Sequence, residues 1–347
     1  MAYTTINKSS EHFNTKIYTG NQNSTHAVTG VGFEPSLTWL KIRTGTGEHY
    51  LFDAIRGVTK GLNTNSTSEE NTYSYFSSFD TDGFTLGSAS NNVNGAYNYA
   101  SWNWLAGTAV SGNTGGSGTA KTYTGSVNTT AGFSIIKYTG NQTAGHTIPH
   151  HLGVAPSMIL TKLISGDTSG WYAYHKSLGN TGNIFLDTTS AVSNSGAWWN
   201  STTPTSSVFT LGDQTGNNSN SNPLIAYCFA EKQGYSKFGS YTGNGNADGT
   251  FIYTGFKPAF LIIKKTNAAK NWFLHDNKRL GYNPSNGYVN PNSNAAEYAG
   301  TDLDMVSNGF KMRSTGGGHN ESGHTYIYMA FAEAPLVGTN NVPCTAR

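Results

Sequence analysis

The stretch GSYTGNGNADGTFIYTGFKPAFLIIKK, residues 239–265, decides how the whole chain is read. It opens on a polar turn, passes through a short aromatic run and a Gly-x-x-Pro corner, and ends in an apolar run closed by lysine. Aromatic and β-branched residues bounded by Gly and Asn are strand chemistry. Proline at the head of the apolar run suits a first strand position, where no ladder donor is lost. The same phrase occurs twice upstream. Tyr-Thr-Gly-Asn stands at Tyr18, Tyr138 and Tyr241, and the corner runs from Pro35 to Lys41, Pro156 to Lys162 and Pro258 to Lys264 with identical spacing. An aromatic strand pattern follows each (Tyr50 to Asp53, Trp171 to His175, Trp272 to Asp276). A GFTLGS-like run then leads to a last strand, at Tyr97 to Trp104, Leu224 to Glu231 and Tyr326 to Glu333.

Landmarks in one order, three times over, define three repeats, each near the ~100 residues of a β-sandwich domain. The expected architecture is all-β, with three tandem β-sandwich domains at 1–106, 132–238 and 239–336. Residues 107–131, rich in Gly, Ser and Thr, are expected to be a linker, and 337–347 a C-terminal tail. On this reading repeats two and three form a rigid pair and repeat one sits on a mobile tether. Strand alternation places Tyr326, Tyr328, Ala330 and Ala332 on one face and Ile327, Met329 and Phe331 on the other. Both faces are apolar, as in a central strand covered on two sides.

Composition narrows the function classes. Of 347 residues only 12% are charged, 42 are Gly, and Tyr, Phe and Trp are plentiful, which speaks against disorder and against a helical protein. A net charge of +2 without basic clusters argues against nucleic acid, and no apolar run is long enough for a membrane-spanning helix. The N-terminus lacks the apolar core of a signal peptide, so synthesis in the cytoplasm is expected. Cys228 lies in a strand pattern and reads as a core residue, and Cys344 lies in the tail.

Candidate sites are few. Asp80 and Asp82 alternate before Gly83 like part of a calcium loop, yet Asp and Gly also make ordinary turns. His146, His150 and His151, and His319 with His324, flank turns and read as surface loops rather than a zinc set. Asp53 with Arg56 and Asp276 with Arg279 read as structural ion pairs at strand ends, and the adjacent Glu69 and Glu70 do not form a glycosidase pair. No nucleophile elbow, P-loop or dinucleotide fingerprint is present, so neither an enzyme nor a cofactor is expected. Trp39, Trp102 and Trp272 read as core. Trp198 and Trp199, followed by Asn200 in a Ser/Asn/Thr-rich loop, are the candidate ligand-binding residues, since aromatic rings stack on sugars and Asn bonds their hydroxyls.

The phrases MAYTTINKSSEHFNTKIYTGN, SWNWLAGT, HTIPHHLGVAPSMIL, GYSKFGSYTGNGNADGTFIYTGFKPAFLIIKK and TYIYMAFAEAP resemble a repeated module of structural proteins of marine tailed phages. The resemblance covers nearly the whole chain. It implies three tandem concanavalin-like jelly-roll β-sandwich domains and a virion component, such as a tail fibre, knob or capsid decoration, with other virion proteins as partners and a homo-oligomeric state. It carries no catalytic residues. A carbohydrate-binding adhesin recognising a host-surface glycan is the alternative, and an extracellular filament subunit a further one.

Overall fold

A computed structural model describes residues 4–279, 283, 285–334, 336–337 and 343–344. The chain is an all-β, multi-sheet fold in which every strand ladder is antiparallel. Each repeat is built on the same four strands in the same lateral order. In the first these are Phe13–Thr19, Asn98–Trp104, Leu37–Ile42 and His49–Asp53. In the second they are Phe133–Thr139, Pro223–Phe229, Met158–Leu163 and Tyr172–His175, and in the third Ser236–Thr242, Thr325–Ala332, Pro258–Lys265 and Trp272–Asp276. Even the register repeats: Leu37 faces Trp104, Met158 faces Phe229 and Phe260 faces Phe331. A smaller sheet covers the outer face of each, holding the GFTLGS-like strands Gly83–Leu86, Val208–Leu211 and Gly309–Met312.

The Tyr-Thr-Gly-Asn motif has a direct physical cause. Tyr18, Tyr138 and Tyr241 donate their hydroxyls to the carbonyls of Val93, Asn217 and His319 at 2.7–2.8 Å. The next residues, Asn94, Asn218 and Asn320, are buried and accept the backbone N–H of Asn21, Asn141 and Asn244, each at 3.0 Å. Glycine is required between Tyr and Asn because the backbones nearly touch. A Cβ on Gly140 would sit 2.2 Å from the Ser219 carbonyl oxygen, and one on Gly243 2.4 Å from that of Glu321.

The two apolar faces of the last strand have different destinations. Tyr326, Tyr328, Ala330 and Ala332 fill the third repeat's own sandwich. Ile327, Met329 and Phe331 enter a second core that all three repeats share. Its centre is aromatic: Phe331 stacks on Phe13 at 5.1 Å, and Trp104 packs edge-on to Phe229, Phe260 and Phe331 at 5.4–6.2 Å. The expected mobile tether for the first repeat is therefore incorrect, because Phe13, Trp102 and Trp104 sit in the joint core. The expected linker at 107–131 is also incorrect. Thr108–Asn113 pairs with Thr122–Asn128, which pairs with Phe133–Thr139, so the segment extends the second repeat's sheet. Edge strands tolerate small polar residues, which is why strand and linker compositions coincide here. Most of the tail expected at 337–347 lies outside the described residues; of those described, Leu336–Val337 pairs with Pro343–Cys344.

Candidate functional site

The chemistry-bearing side chains gather at the seams between repeats. In each repeat the apolar strand ends in a buried lysine, and its amine donates to two carbonyls. Lys41 reaches Gly47 O (2.7 Å) in its own repeat and Asn294 O (3.2 Å) in the third. Lys162 bonds Ser169 O and, at 2.9 Å, Thr67 O of the first repeat. Lys264 bonds Lys270 O (2.5 Å) and Thr189 O (2.9 Å) of the second. The same foreign carbonyls accept a backbone N–H, from Gly47, Ser169 and Lys270 in turn. One arm of each repeat thus lies on the next, and the third repeat's arm lies on the first, closing a ring. Burial disfavours the ammonium form and pushes Lys41 and Lys162 down to about 8 and Lys264, with Lys265 beside it, to about 7.

A second set of staples runs round the same ring nearer the core. Asp53, paired with Arg56 at 2.6 Å and buried, accepts the Tyr227 hydroxyl of the second repeat at 2.6 Å. Asp276, paired with Arg279 at 2.6 Å, accepts the Trp102 indole N–H of the first at 3.0 Å. At the matching position of the second repeat His175 Nε2 donates to Tyr328 O of the third at 3.1 Å, while its Nδ1 accepts from Ser177 N–H. Burial holds that imidazole down at about 4. The ion pairs read from sequence are present, but their partners across the seam had no signal in the repeats themselves.

Beside two of the seams the surface opens into clefts. The larger, about 510 Å³, lies where residues 292–294 of the third repeat cross the first, with Glu48, Asn63, Asn65 and Tyr73 on the opposite wall. The other, about 290 Å³, lies where Thr67 of the first repeat crosses the second, against Asp167, Thr168, Ser169 and Tyr172. The two are related by the ring, since the Asn294 and Thr67 carbonyls are the corresponding acceptors for the buried lysines.

A family description spans residues 8–335, which includes all three repeats and the shared core. The chain belongs to the DUF7483 family, a domain of unknown function. Comparison with curated proteins and with solved structures gives no match.

The expected ligand residues of this DUF7483 chain do not form one exposed platform. Trp199 is 1% exposed and packs edge-on to Tyr174 in the second repeat's core, so its ring cannot meet a sugar. Trp198 is half-buried against Tyr172 and Phe185, which brings it beside the smaller cleft without lining it. Asn200 turns the chain at φ 50°, and its carbonyl accepts the Thr202 hydroxyl. Asp80 accepts the Thr85 hydroxyl at 2.7 Å, and Asp82 accepts the Gly30 and Gly32 N–H groups, which hold its carboxyl below the usual range. Asp80 thus serves its own hairpin and Asp82 ties the turn of that hairpin to the loop at 30–32, and no cluster of metal-ligating residues occurs among the described residues.

The surface-loop reading of the histidines fails for three of them. His146 is buried between Asn218 Oδ1 (2.8 Å) and Thr114 Oγ1 (2.7 Å), and His150 lies 3.2 Å from Thr205 O. His319 meets His275 at 2.9 Å between Nε2 atoms. Glu69 and Glu70 also serve the seam, Glu69 accepting from Gly166 N–H and Glu70 from Arg56. No helix among the described residues is long and apolar enough to cross a membrane.

Proposed function

We propose that this chain is a non-enzymatic structural component of a tailed-phage virion, displayed on the particle surface as a knob, fibre or capsid-decoration subunit. The observation that carries this reading is the closed ring of seam bonds around one aromatic core. It makes three repeats a single rigid block with few charges and polar loops, and it does so without a disulfide framework. A particle component released from the cell has to persist without chaperones, and such a block suits that task. The ionisable groups at the seams are bonded to neighbouring repeats, so their geometry is that of staples. The sequence resemblance supplies the virion context, and other capsid or tail proteins are the expected partners. Mass spectrometry of purified, nuclease-treated particles tests the reading. A stoichiometric band of this chain is expected, and its presence only in the lysate supernatant would overturn the proposal.

A further inference from the structure

We propose that the two seam clefts are binding sites for a neutral carbohydrate. The argument does not depend on where the chain sits in a particle. The larger cleft is walled by amides and hydroxyls, with one carboxylate, Glu48, and one phenol ring, Tyr73. The smaller shares the hydroxyls, here of Thr67, Thr168 and Ser169, the single carboxylate, Asp167, and the single phenol ring, Tyr172, without amide side chains. Neither is lined by Lys or Arg, so phosphate, sulfate and sialic acid have no counter-charge there. No group of three or more His, Cys, Asp or Glu that could hold a metal ion occurs among the described residues. The walls are too polar for an apolar ligand, whose pockets are mainly hydrophobic. What remains is a neutral polyol, whose hydroxyls both donate and accept. Volumes of about 510 and 290 Å³ span what a mono- or oligosaccharide needs, against ~300–1,000 Å³ for ligand sites generally.

The walls are also held in place before any ligand arrives. Asn63 donates to His49 O at 3.1 Å and accepts the Tyr73 hydroxyl at 3.2 Å. Asn65 accepts from His49 N–H at 3.0 Å and donates to Glu48. Across the cleft Asn292 accepts from Trp272 N–H at 2.9 Å. Side chains fixed by backbone bonds lose little rotamer entropy on binding, which is the condition for weak polar contacts to add up. Each cleft is made by two repeats, so the ring that shapes the fold also creates the sites.

The test uses the full-length chain and isothermal titration with maltotriose, cellotriose, mannotriose and diacetylchitobiose, with sialyllactose as the anionic control. At least one neutral sugar is expected to bind, with Kd no weaker than the millimolar range. The Asn71→Ala/Asn294→Ala double variant removes exposed groups at the mouth of the larger cleft and leaves the seam carbonyl in place. It is expected to weaken the tighter of two binding events at least tenfold with an unchanged melting temperature. Thr168→Ala is expected to weaken only the second event. No binding of any neutral sugar, preference for sialyllactose, or unchanged binding in all variants would overturn the proposal. None of these results bears on whether the chain is found in particles.

Discussion

Replacing Tyr227 with Phe removes one oxygen from the seam between the first and second repeats and nothing else. That hydroxyl donates to Asp53 Oδ2 at 2.6 Å, and the ring stacks on Trp171 at 6.2 Å, a contact Phe preserves. Asp53 keeps Arg56 Nε at 2.6 Å on the same oxygen, and the Ile55 and Arg56 N–H groups at 2.9–3.0 Å on the other. The carboxylate is therefore not left unpaired. The loss is the hydrogen bond to that charged acceptor together with the long one (3.4 Å) that the hydroxyl accepts from Arg56 Nη2, which still donates to Leu51 O at 2.9 Å, in all ~1.5–3 kcal/mol. Breaking the buried pair itself, as in Asp53→Ala, is expected to cost more, ~3–5 kcal/mol, because buried Arg56 then loses its closest carboxylate and keeps only Glu70, 3.2 Å from its Nη1. Urea unfolding followed by tryptophan fluorescence and far-UV circular dichroism measures both. For Tyr227→Phe the expected loss is about 2 kcal/mol, or a melting temperature lower by about 3 °C. Since the central core belongs to all three repeats, both probes are expected to report one coincident transition. A loss under about 0.5 kcal/mol would show that the seam bond is worth no more than an exposed one. Separate transitions for the two probes would refute the shared core, since repeats that merely follow one another unfold singly.

Three further outcomes follow from the same geometry. His175 is held neutral, with a pKa of about 4 against 6.5 when unfolded. The unfolded state then binds more protons between these values, so stability falls as pH drops from 6.5 towards 4 and levels off below, a total of roughly 3 kcal/mol. His175→Gln keeps a donor for Tyr328 O and is expected to flatten the acid limb of a pH series of urea midpoints by about that amount; an unchanged limb would refute the assignment. Lys264 is lowered to about 7, and the folded state binds fewer protons from there up to the ordinary lysine value. Stability should rise with pH through that window, and Lys264→Met should remove part of the slope while costing ~1–3 kcal/mol for the carbonyl left unbonded. Gly140→Ala would drive a Cβ to within 2.2 Å of Ser219 O. A loss of ~1–3 kcal/mol by calorimetry is expected, and a neutral result would mean that the Tyr-Thr-Gly-Asn corner moves freely.

The legible part of the fold was the part carried by backbone-scale rules. Proline at a strand head, lysine at its end and alternation in Tyr326–Glu333 led to the right strands and to a central strand covered on both faces. What covers the second face was not legible. Ile327, Met329 and Phe331 look the same whether they meet a sheet of their own repeat or of another. Trp198 and Trp199 illustrate a related limit. Neighbours on a turn differ in burial according to what lies beneath, and nothing in Ser-Gly-Ala-Trp-Trp-Asn-Ser tells which ring goes down. Asn94, Asn218 and Asn320 escaped notice because the residues around them differ in each repeat, Val-Asn-Gly, Asn-Asn-Ser and His-Asn-Glu, although all three do the same work.

The lysines show why comparing copies with one another stops short of the site. Lys41, Lys162 and Lys264 recur at fixed spacing, and recurrence within a repeat invites the inference that they serve that repeat. Each in fact binds a carbonyl of a neighbour. A carbonyl carries no side-chain signature, so Asn294, Thr67 and Thr189 can differ in type while doing one job. The constraint falls on where the arm lies and leaves its residues free, and the arm contributes residues to the wall of each cleft, 292–294 to the larger and Thr67 to the smaller. Staples that recur from repeat to repeat and cleft walls that differ are therefore two sides of one device. The lysine fixes the backbone of the crossing arm, and the arm's Asn, Ser and Thr side chains are released to set what the cleft can bind. On that reasoning, exchanging the side chains of residues 292–294 should change sugar preference without loosening the ring, whereas Lys41→Met should loosen the ring whatever those side chains are.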